Sequence, residues 1–414
     1  MKSSKKDFFT TVEIFNKVAG VWLEPETSAK WKRTLHIVYN SFLFLYGMFF
    51  FICEALVISY ILQELKLLVT HIAMITNHMV SILEFTILIT NQTKMAELKR
   101  MLQDESLSYD DCPSSEGLIK RSKSFYERIS IVSYFVYWMV GTSAHMSALK
   151  VLNADVPGKY FEQNSTCYDF VPHLFLIPFD TETKRRCKNA LIGMDFGLWI
   201  FAGYIATHDT TLYSFVSCIK AKLEILSEAT RTIRDRTKVR MGLPRDLELM
   251  RDADIPDFEM EMYFEIRRSN QILAILISAS EGVEEIFNIT LLARTLSSLL
   301  VIASILFVSS TMTFEDPEMF HLVEYCSGAF FQLFMICYFA IFVTDASQAY
   351  RGCLYELDWF SSSRRFKQCM LIMMQRMERP LNITIGKFSP ITLQTFVAVT
   401  RVSFSYATVL KAVD

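Results

Sequence analysis

The sequence predicts an all-α membrane protein with seven transmembrane helices, a cytoplasmic N-terminus, an extracellular C-terminus and long cytoplasmic helical extensions. Three observations support this fold class. The 414 residues are 51% hydrophobic and only 21% charged, whereas average protein composition includes about 25% charged residues. Seven apolar runs approach or exceed the ~20 residues that a bilayer-spanning helix needs. Lysine and arginine are concentrated in alternate segments between these runs, which is the pattern of an oriented membrane protein.

The predicted spans differ in strength. The first contains the run FLFLYGMFFFI, the second and fourth carry histidine and acidic residues, and the seventh is rich in hydroxyl groups and contains Arg401. In chain order, the spans cover residues 35–62, 67–90, 129–152, 190–217, 289–312, 320–344 and 391–410.

The positive charges predict the orientation. The segments assigned to the cytoplasm are 1–34, 91–128, 218–288 and 345–390, and they hold 7, 7, 11 and 7 Lys/Arg residues, while the segments on the other side hold 7 in all. Cytoplasmic loops carry the excess of Lys and Arg, so the N-terminus is expected inside and the C-terminus outside. No short apolar stretch with a small-residue cleavage site follows Met1, and we expect the first span to act as an uncleaved anchor.

The segment 153–189 is expected to be extracellular. It contains the sequon that begins at Asn164, where glycosylation would be accessible. It also contains Cys167 and Cys187. In an oxidising compartment the sequence leaves two alternatives open for these cysteines, a disulfide or two free thiols.

Two cytoplasmic segments are too long to be simple loops. Apolar residues recur at helical spacing on both sides of the segment 218–288, which predicts that the flanking spans continue as helices beyond the membrane. Its charged centre, 234–257, is expected to be loosely ordered, and 346–378 is expected to form another cytoplasmic helix. We therefore divide the chain into a six-span bundle with cytoplasmic extensions (1–345) and a region with an anchor helix and the seventh span (346–414).

Composition and motifs exclude several classes of function. The net charge of −2 gives no basic excess for nucleic acid. The nine cysteines show no CxxC or zinc spacing, and we find no phosphate-binding loop and no nucleophile elbow. We expect neither an enzyme nor a cofactor.

The seventh span carries a stripe of small and polar residues. Positions at i, i+4 and i+7 share one face of a helix, and from Gln394 onward this face holds Ala398, Arg401, Ser405, Thr408 and Ala412. The opposite side holds Phe396, Val399, Phe404 and Leu410, with Ser403 between them. Such a stripe is typical of a pore wall, and small residues also mediate ordinary helix packing.

The C-terminal fifth of the chain resembles the C-terminal signature of insect odorant receptors. The resemblance is strongest over 330–411, and it departs from the family at Ala340-Ile341-Phe342 and at Ser389. The matching pieces are Met373-Met374-Gln375-Arg376, Arg379-Pro380-Leu381, Gly386-Lys387-Phe388, Leu393-Gln394-Thr395-Phe396 and Ser405-Tyr406.

This resemblance implies an odorant receptor subunit of an odorant-gated, non-selective cation channel in the plasma membrane of olfactory sensory neurons. Such subunits form heterotetramers with an odorant receptor coreceptor of the same fold. The chain lacks the coreceptor's longer cytoplasmic loop and looks like the odorant-tuning subunit, whose ligand would be a small, mostly apolar volatile. A G-protein-coupled receptor has its N-terminus outside and is excluded by the orientation.

Two alternatives remain open. One is a gustatory-type receptor channel of the same fold. The other is a secondary transporter, because acids within or near apolar spans often mark ion paths, and the chain has such acids at Glu54, Glu84, Asp195 and Glu324. A transporter would also show repeat symmetry and broken spans, and the sequence shows neither.

The resemblance also implies the site residues. By the family's pattern the gate lies at Val409, with Ser405 and Ala412 on the same path. The odorant pocket lies among spans two, three, four and six in the outer half of the bundle, although ordinary helix packing is the alternative for any single residue. The implied pocket residues are His71, Ile75, His78, Met79, Trp138, Gly141, Thr142, His145, Met194, Leu198, Phe201, Tyr325 and Ala329.

Overall fold

The structure of the protein is a computed structural model. It describes residues 7–22, 28–109, 112, 114–153, 167–169, 171, 173–181, 183–244, 247, 251–312 and 317–413. Within them the helices are α1 (Thr10–Val18), α2 (Lys30–Ile61), α3 (Leu65–Thr90), α4 (Gln92–Leu102), α5 (Ser115–Asn153), α6 (Lys184–Arg231), α7 (Ile233–Arg240), α8 (Pro256–Ser309), α9 (Pro317–Glu356), α10 (Arg364–Arg376) and α11 (Leu393–Val413). A small hairpin, β1 (Thr384–Ile385) and β2 (Ser389–Pro390), precedes α11.

Seven of these helices correspond to the seven predicted spans: α2, α3, α5, α6, α8, α9 and α11. Among the described residues, α2, α3, α6, α8 and most of α9 are long and apolar enough to cross a membrane by length and composition alone. Helices α5 and α11 are less apolar because charged residues precede the span in α5 and because hydroxyl groups and Arg401 lie within α11.

Two helices are much longer than a bilayer is thick. Helix α6 has 48 residues and α8 has 54, which at 1.5 Å per residue is about 72 Å and about 81 Å. The hydrocarbon core is only ~30 Å thick. The predicted helical extensions beyond the membrane are therefore confirmed.

Helix α6 lies at the centre of the bundle. Every residue from 203 to 219 is buried, and α3, α5, α8 and α9 pack around this helix. Most of this stretch is apolar or small, as in other helices that are buried on all sides, and its polar residues His208 and Asp209 have hydrogen-bond partners inside the bundle. Gly197 allows α2 to pack closely against α6, because a Cβ atom at this position would lie 2.5 Å from the ring of Phe50.

Two predictions for the cytoplasmic side were wrong. The segment 346–378 is not one helix, because α9 ends at Glu356 and α10 begins only after Ser363, whose side chain accepts a hydrogen bond from the Phe366 amide at 3.3 Å. A capping serine of this kind starts a new helix.

The charged centre of the segment 218–288 is also more ordered than predicted. Residues Ile233–Arg240 form α7. Arg240 contacts Glu261 and Glu265 at 2.8 Å, and Arg236 contacts Glu265 at 3.3 Å. These ion pairs tie α7 to α8 and offset the lack of apolar residues. Residues 245, 246 and 248–250 of this segment lie outside the described residues.

Tyr109 lies beside these cytoplasmic ion pairs. The guanidinium groups of Arg236 and Arg268 lie 5.0 Å and 4.7 Å from the centre of its ring. Burial raises the pKa of the Tyr109 hydroxyl, which hydrogen-bonds Ser269 Oγ at 3.0 Å. This packing holds the α4–α5 connection against α8.

The predicted division at 345–346 lies inside α9, and the division remains a prediction.

Candidate ligand-binding region and pore helix

A buried carboxylate lies at the centre of the first group of predicted pocket residues. Glu54 on α2 has no exposed surface. His78 Nδ1 lies 2.9 Å from its Oε2 atom, and His173 Nε2 contacts its Oε1 atom. His71 Nε2 lies 2.9 Å from the backbone carbonyl oxygen of Glu54. Two histidines one heptad apart on α3 thus converge on one residue of α2.

The segment that joins α5 to α6 covers this group. The Leu176 amide donates to the Cys53 carbonyl at 2.9 Å, and the ring of Phe175 packs 5.3 Å from that of Phe50. Cys167 and Cys187 form a disulfide with their Cα atoms 5.6 Å apart. The α5–α6 segment is therefore attached both to α2 and to the start of α6. The predicted glycosylation site, Asn164, lies outside the described residues.

An aromatic wall continues from the Glu54 group along α6. The imidazole of His78 stacks on Phe201, with the ring centres 4.4 Å apart and the planes 16° apart. Met194, one heptad before Phe201 and therefore on the same helix face, is fully buried. The structure thus brings four predicted pocket residues, on α3 and α6, to one region.

The predicted residues on α5 form a separate contact with α6. Gly141 faces Trp199 and Leu198, and His145 Nδ1 contacts the carboxylate of Asp195. The Thr142 hydroxyl donates to the Trp138 carbonyl at 2.8 Å, so its hydrogen-bonding capacity is used within the helix.

Two predicted pocket residues do not lie with the others. The side chains of Met79 and Trp138 are 54% and 43% exposed. Met79 lies about 80° around α3 from His71, at the edge of the buried face, since each residue turns the helix by 100°. Both side chains lie on the outer surface of the chain.

The predicted residues on α9 contact a helix that the prediction had left out. Tyr325 and Ala329 pack against Ala73 on α3 and against Val301 and Ile305 on α8. Ile75 on α3 is half-buried. The predicted pocket therefore has α8, the fifth span, as an additional wall.

A second buried polar network lies deeper in the bundle. Arg294 Nε donates to Glu84 Oε1 at 2.8 Å, and other nitrogens of this guanidinium contact Glu84 Oε2 and Asn77 Oδ1. His208 Nε2 lies 2.8 Å from Thr290 Oγ1, and its Nδ1 lies 3.2 Å from Asp209 Oδ1. These side chains link α3, α6 and α8.

The same network reaches two further helices through Asp209. Its Oδ2 atom accepts hydrogen bonds from the Tyr137 hydroxyl at 2.9 Å and from Gln332 Nε2 at 3.0 Å. Tyr137 belongs to α5 and Gln332 to α9. Five helices of the bundle thus meet at one hydrogen-bonded network.

Helix α11 packs on the bundle with only one face. Val399, Ser403 and Ala407 are buried, and the Ser403 hydroxyl lies 3.2 Å from the Leu299 carbonyl of α8. The polar stripe lies on the opposite, exposed face, and Val409 on that face is 59% exposed. The exposed stripe residues are Gln394, Ala398, Arg401, Ser405, Thr408 and Ala412. Phe404, which was placed on the side opposite the stripe, is exposed as well. It lies about 100° from the buried Ser403 and about 100° from the exposed Ser405, at the edge of the packed face.

A sequence model of the family described as 7tm Odorant receptor matches residues 64–404. The chain belongs to the insect odorant receptor family. This odorant receptor is similar to Odorant receptor 22a of Drosophila melanogaster, with 32% identity over 80 residues that make up 19% of the chain and 20% of that relative. It is also similar to Putative odorant receptor 92a of the same species, with 24% identity over 248 residues, or 55% of the chain and 58% of that relative. The chain thus spans well under two thirds of the length of either relative.

The fold of the odorant receptor is similar to that of a solved structure. The insect olfactory receptor OR5 from Machilis hrabei, in complex with eugenol, superimposes with a TM-score of 0.75 over 97% of both chains at 15% identity. The same protein without that ligand gives a TM-score of 0.73. At this identity the likeness concerns the fold, and it confirms the seven-helix membrane architecture.

Within the receptor, each acid that the sequence places in or near a span has a partner. Glu54 contacts two histidines, Glu84 contacts Arg294, Asp195 contacts His145, and Glu324 accepts a hydrogen bond from Ser143. Membrane-embedded acids pair in this way because an unpaired charge in hydrocarbon is costly. The acids therefore have structural partners inside the bundle.

Sequence motifs did not point to His173, Asp209 or Arg294. His173 lies in a connecting segment without periodicity, so no spacing pointed to it. Arg294 and Asp209 each interrupt an apolar run, and a search for charged residues of both signs within the spans would have found them.

Proposed function

We propose that this odorant receptor chain is the odorant-tuning subunit of an odorant-gated, non-selective cation channel. It works with the coreceptor in a heterotetramer, in the plasma membrane of olfactory sensory neurons. The observation that carries the proposal is the orientation of α11. Its stripe of small and polar residues points away from the chain's own bundle. In this orientation the stripe can line a pore that neighbouring subunits complete.

The gate of the proposed channel lies at Val409. Ser405, Val409 and Ala412 follow one another on the exposed face of α11 at spacings of four and three residues. A ring of apolar side chains at this level closes a pore by excluding water. Arg401 lies on the same face, where it would repel cations at a narrow point, and we place it at a wide vestibule or a subunit contact.

The proposed odorant site lies among α3, α5, α6 and α9, with α8 as an additional wall. Its polar groups are the Tyr325 hydroxyl and the Asn77 amide, which lie 3.5 Å apart, and its walls are apolar and aromatic. A small apolar pocket with few polar groups suits a volatile, mostly apolar molecule. The likeness in fold to a receptor that was solved in complex with eugenol supports this class of ligand.

The first experiment is whole-cell recording from cells that express the chain with and without the coreceptor. We expect an odorant from a broad panel to evoke a cation current only when both subunits are present. The current should persist when guanine nucleotide exchange is blocked, because the channel opens directly. A current that disappears under that block, with no fast direct component, would contradict the proposal.

The gate is tested by replacing Val409 with serine. A polar side chain at a dewetting gate admits water, so we expect Val409→Ser, co-expressed with the coreceptor, to raise the current without odorant severalfold. The effect is partial because the other subunits supply their own gate residues. Val399→Ser on the buried face is the matched control, with surface expression measured for both. An equal rise for the two variants would place the pore on another face of α11.

A further inference from the structure

Three donor side chains from distant parts of the chain meet around one point. In the part of the chain that the structure describes, Glu54, His78 and His173 place one carboxylate oxygen and two imidazole nitrogens within 4.8 Å of one another. All three residues are buried. They belong to α2, α3 and the α5–α6 segment respectively.

This donor set is one that zinc uses. Two imidazole nitrogens and one carboxylate supply three ligands and leave a fourth position for water, as in many zinc sites with an open coordination position. Imidazole suits Zn²⁺, Ni²⁺ and Cu²⁺, whereas Ca²⁺ and Mg²⁺ prefer oxygen ligands. The mixture of donors thus favours a transition-type metal ion over the common alkaline earth cations.

Neighbouring groups hold the donors in the orientation that a metal needs. The Sδ atom of Met74 lies 2.8 Å from His173 Nδ1, which leaves Nε2 of the same ring to face Glu54. The ring of His71 stacks on that of His173 with the centres 5.7 Å apart. His71 Nε2 is directed at the backbone carbonyl of Glu54 rather than at its carboxylate. Such outer contacts fix the rotation and tautomer of metal-binding imidazoles.

A metal ion would bind these three side chains as one carboxylate and two neutral imidazoles, which are the forms in which they ligate metals. One ion would thereby link α2, α3 and the part of the α5–α6 segment that holds His173.

The second group of donor residues shows the opposite arrangement. Glu84, His208 and Asp209 also place their donor atoms within 4.8 Å of one another. There the guanidinium of Arg294 contacts both oxygens of Glu84, and the two nitrogens of His208 face Asp209 and Thr290. The guanidinium already occupies both oxygens of Glu84, and both nitrogens of His208 have partners, so this group leaves fewer donor atoms for a metal ion.

We propose that Glu54, His78 and His173 form a zinc-binding site that fastens the α5–α6 segment to α2 and α3. The segment is already attached at Leu176 and through the Cys167–Cys187 disulfide. The metal adds a third attachment at His173, and it stabilises the contact of residues 173–181 with α2 and α3.

The test is calorimetric titration of the purified full-length chain in detergent with Zn²⁺, and separately with Mg²⁺. We expect saturable binding of one Zn²⁺ per chain at this site and no comparable binding of Mg²⁺. His173→Asn and His78→Asn should each weaken the Zn²⁺ affinity at least tenfold. His145→Asn is the matched control, because it removes an imidazole that also contacts a carboxylate but has no second histidine beside it, and it should leave the affinity unchanged. Equal Zn²⁺ affinities for wild type and His173→Asn would overturn the proposal.

A spectroscopic measurement on the wild-type chain covers the case in which the variants do not fold. Zinc X-ray absorption on the one-to-one complex should show a first shell of nitrogen and oxygen atoms that includes two imidazoles. A shell of six oxygens, or one with thiolate sulfur, would overturn the proposal. Neither measurement depends on channel activity, so a failure here is distinguishable from a failure of the proposed odorant-gated function.

Discussion

The two buried polar groups of the bundle contain similar residues but are neutralised differently. Around Glu54, the carboxylate is matched by the imidazoles of His78 and His173, which carry no permanent charge. Around Glu84, the carboxylate is matched by Arg294, whose charge is permanent. The first group lies beneath a connecting segment, whereas the second joins five helices. A fixed ion pair thus holds helices together, whereas the imidazole–carboxylate group offers donor atoms that a metal ion can bind.

The largest expected effect comes from removing the fixed charge. Arg294→Met leaves Glu84 buried without its cation, and breaking a buried pair in this way costs about 3–5 kcal/mol. We expect a strong fall in the thermal unfolding temperature of the purified chain. The double variant Arg294→Met/Glu84→Leu removes both charges and should recover most of the loss. If the single variant is as stable as wild type, the ion pair is not what holds α3 to α8.

A smaller loss is expected from Glu54→Gln in the same assay. The glutamine side chain keeps one oxygen and gains an N–H donor, so one of the hydrogen bonds to the two imidazoles is weakened or lost. This loss lowers the free energy of unfolding by about 1–2 kcal/mol. The fall in unfolding temperature should be clearly smaller than that of Arg294→Met. A loss as large as that of Arg294→Met would show that the histidines around Glu54 act as a permanent charge, and the distinction between the two groups would not hold.

The smallest effect on stability is expected from a change at the edge of the polar network around Glu84. Tyr325→Phe removes a hydroxyl whose contact with Asn77 is long, at 3.5 Å, so the stability should change by less than about 0.5 kcal/mol. The odorant concentration for half-maximal current should nevertheless shift about tenfold, since the hydroxyl lies in the proposed odorant site, and tenfold corresponds to about 1.4 kcal/mol. Met79→Ala, on the exposed face of α3, is the control. A shift for Met79→Ala and none for Tyr325→Phe would move the site to the outer surface of the chain.

The number and order of the long helices could be read from the sequence because they depend on local properties. A run of apolar residues is visible whatever its neighbours are. The same holds for the two faces of α11, since the angle between successive residues of a helix is fixed at about 100°. The matches around Arg379 and Leu393 identify the family for the same reason, because they lie in one continuous stretch.

Other features depend on short-range details that hydrophobic patterns do not show. The break between α9 and α10 rests on one capping serine, Ser363. The order of α7 rests on ion pairs to α8, so a charged segment that resembles a loose loop is held in place by residues that follow it.

The partners of the buried charges were decided only by the tertiary structure. His173 meets Glu54 across 119 residues of sequence, and Arg294 meets Glu84 across 210. The sequence determined that each of these acids lies in an apolar run and therefore needs a partner. It could not determine which partner, because that choice depends on how far each helix is rotated and shifted against its neighbours. Rotation and shift are set by packing, such as the ring of Phe50 against Gly197, and they bring distant side chains within hydrogen-bonding distance.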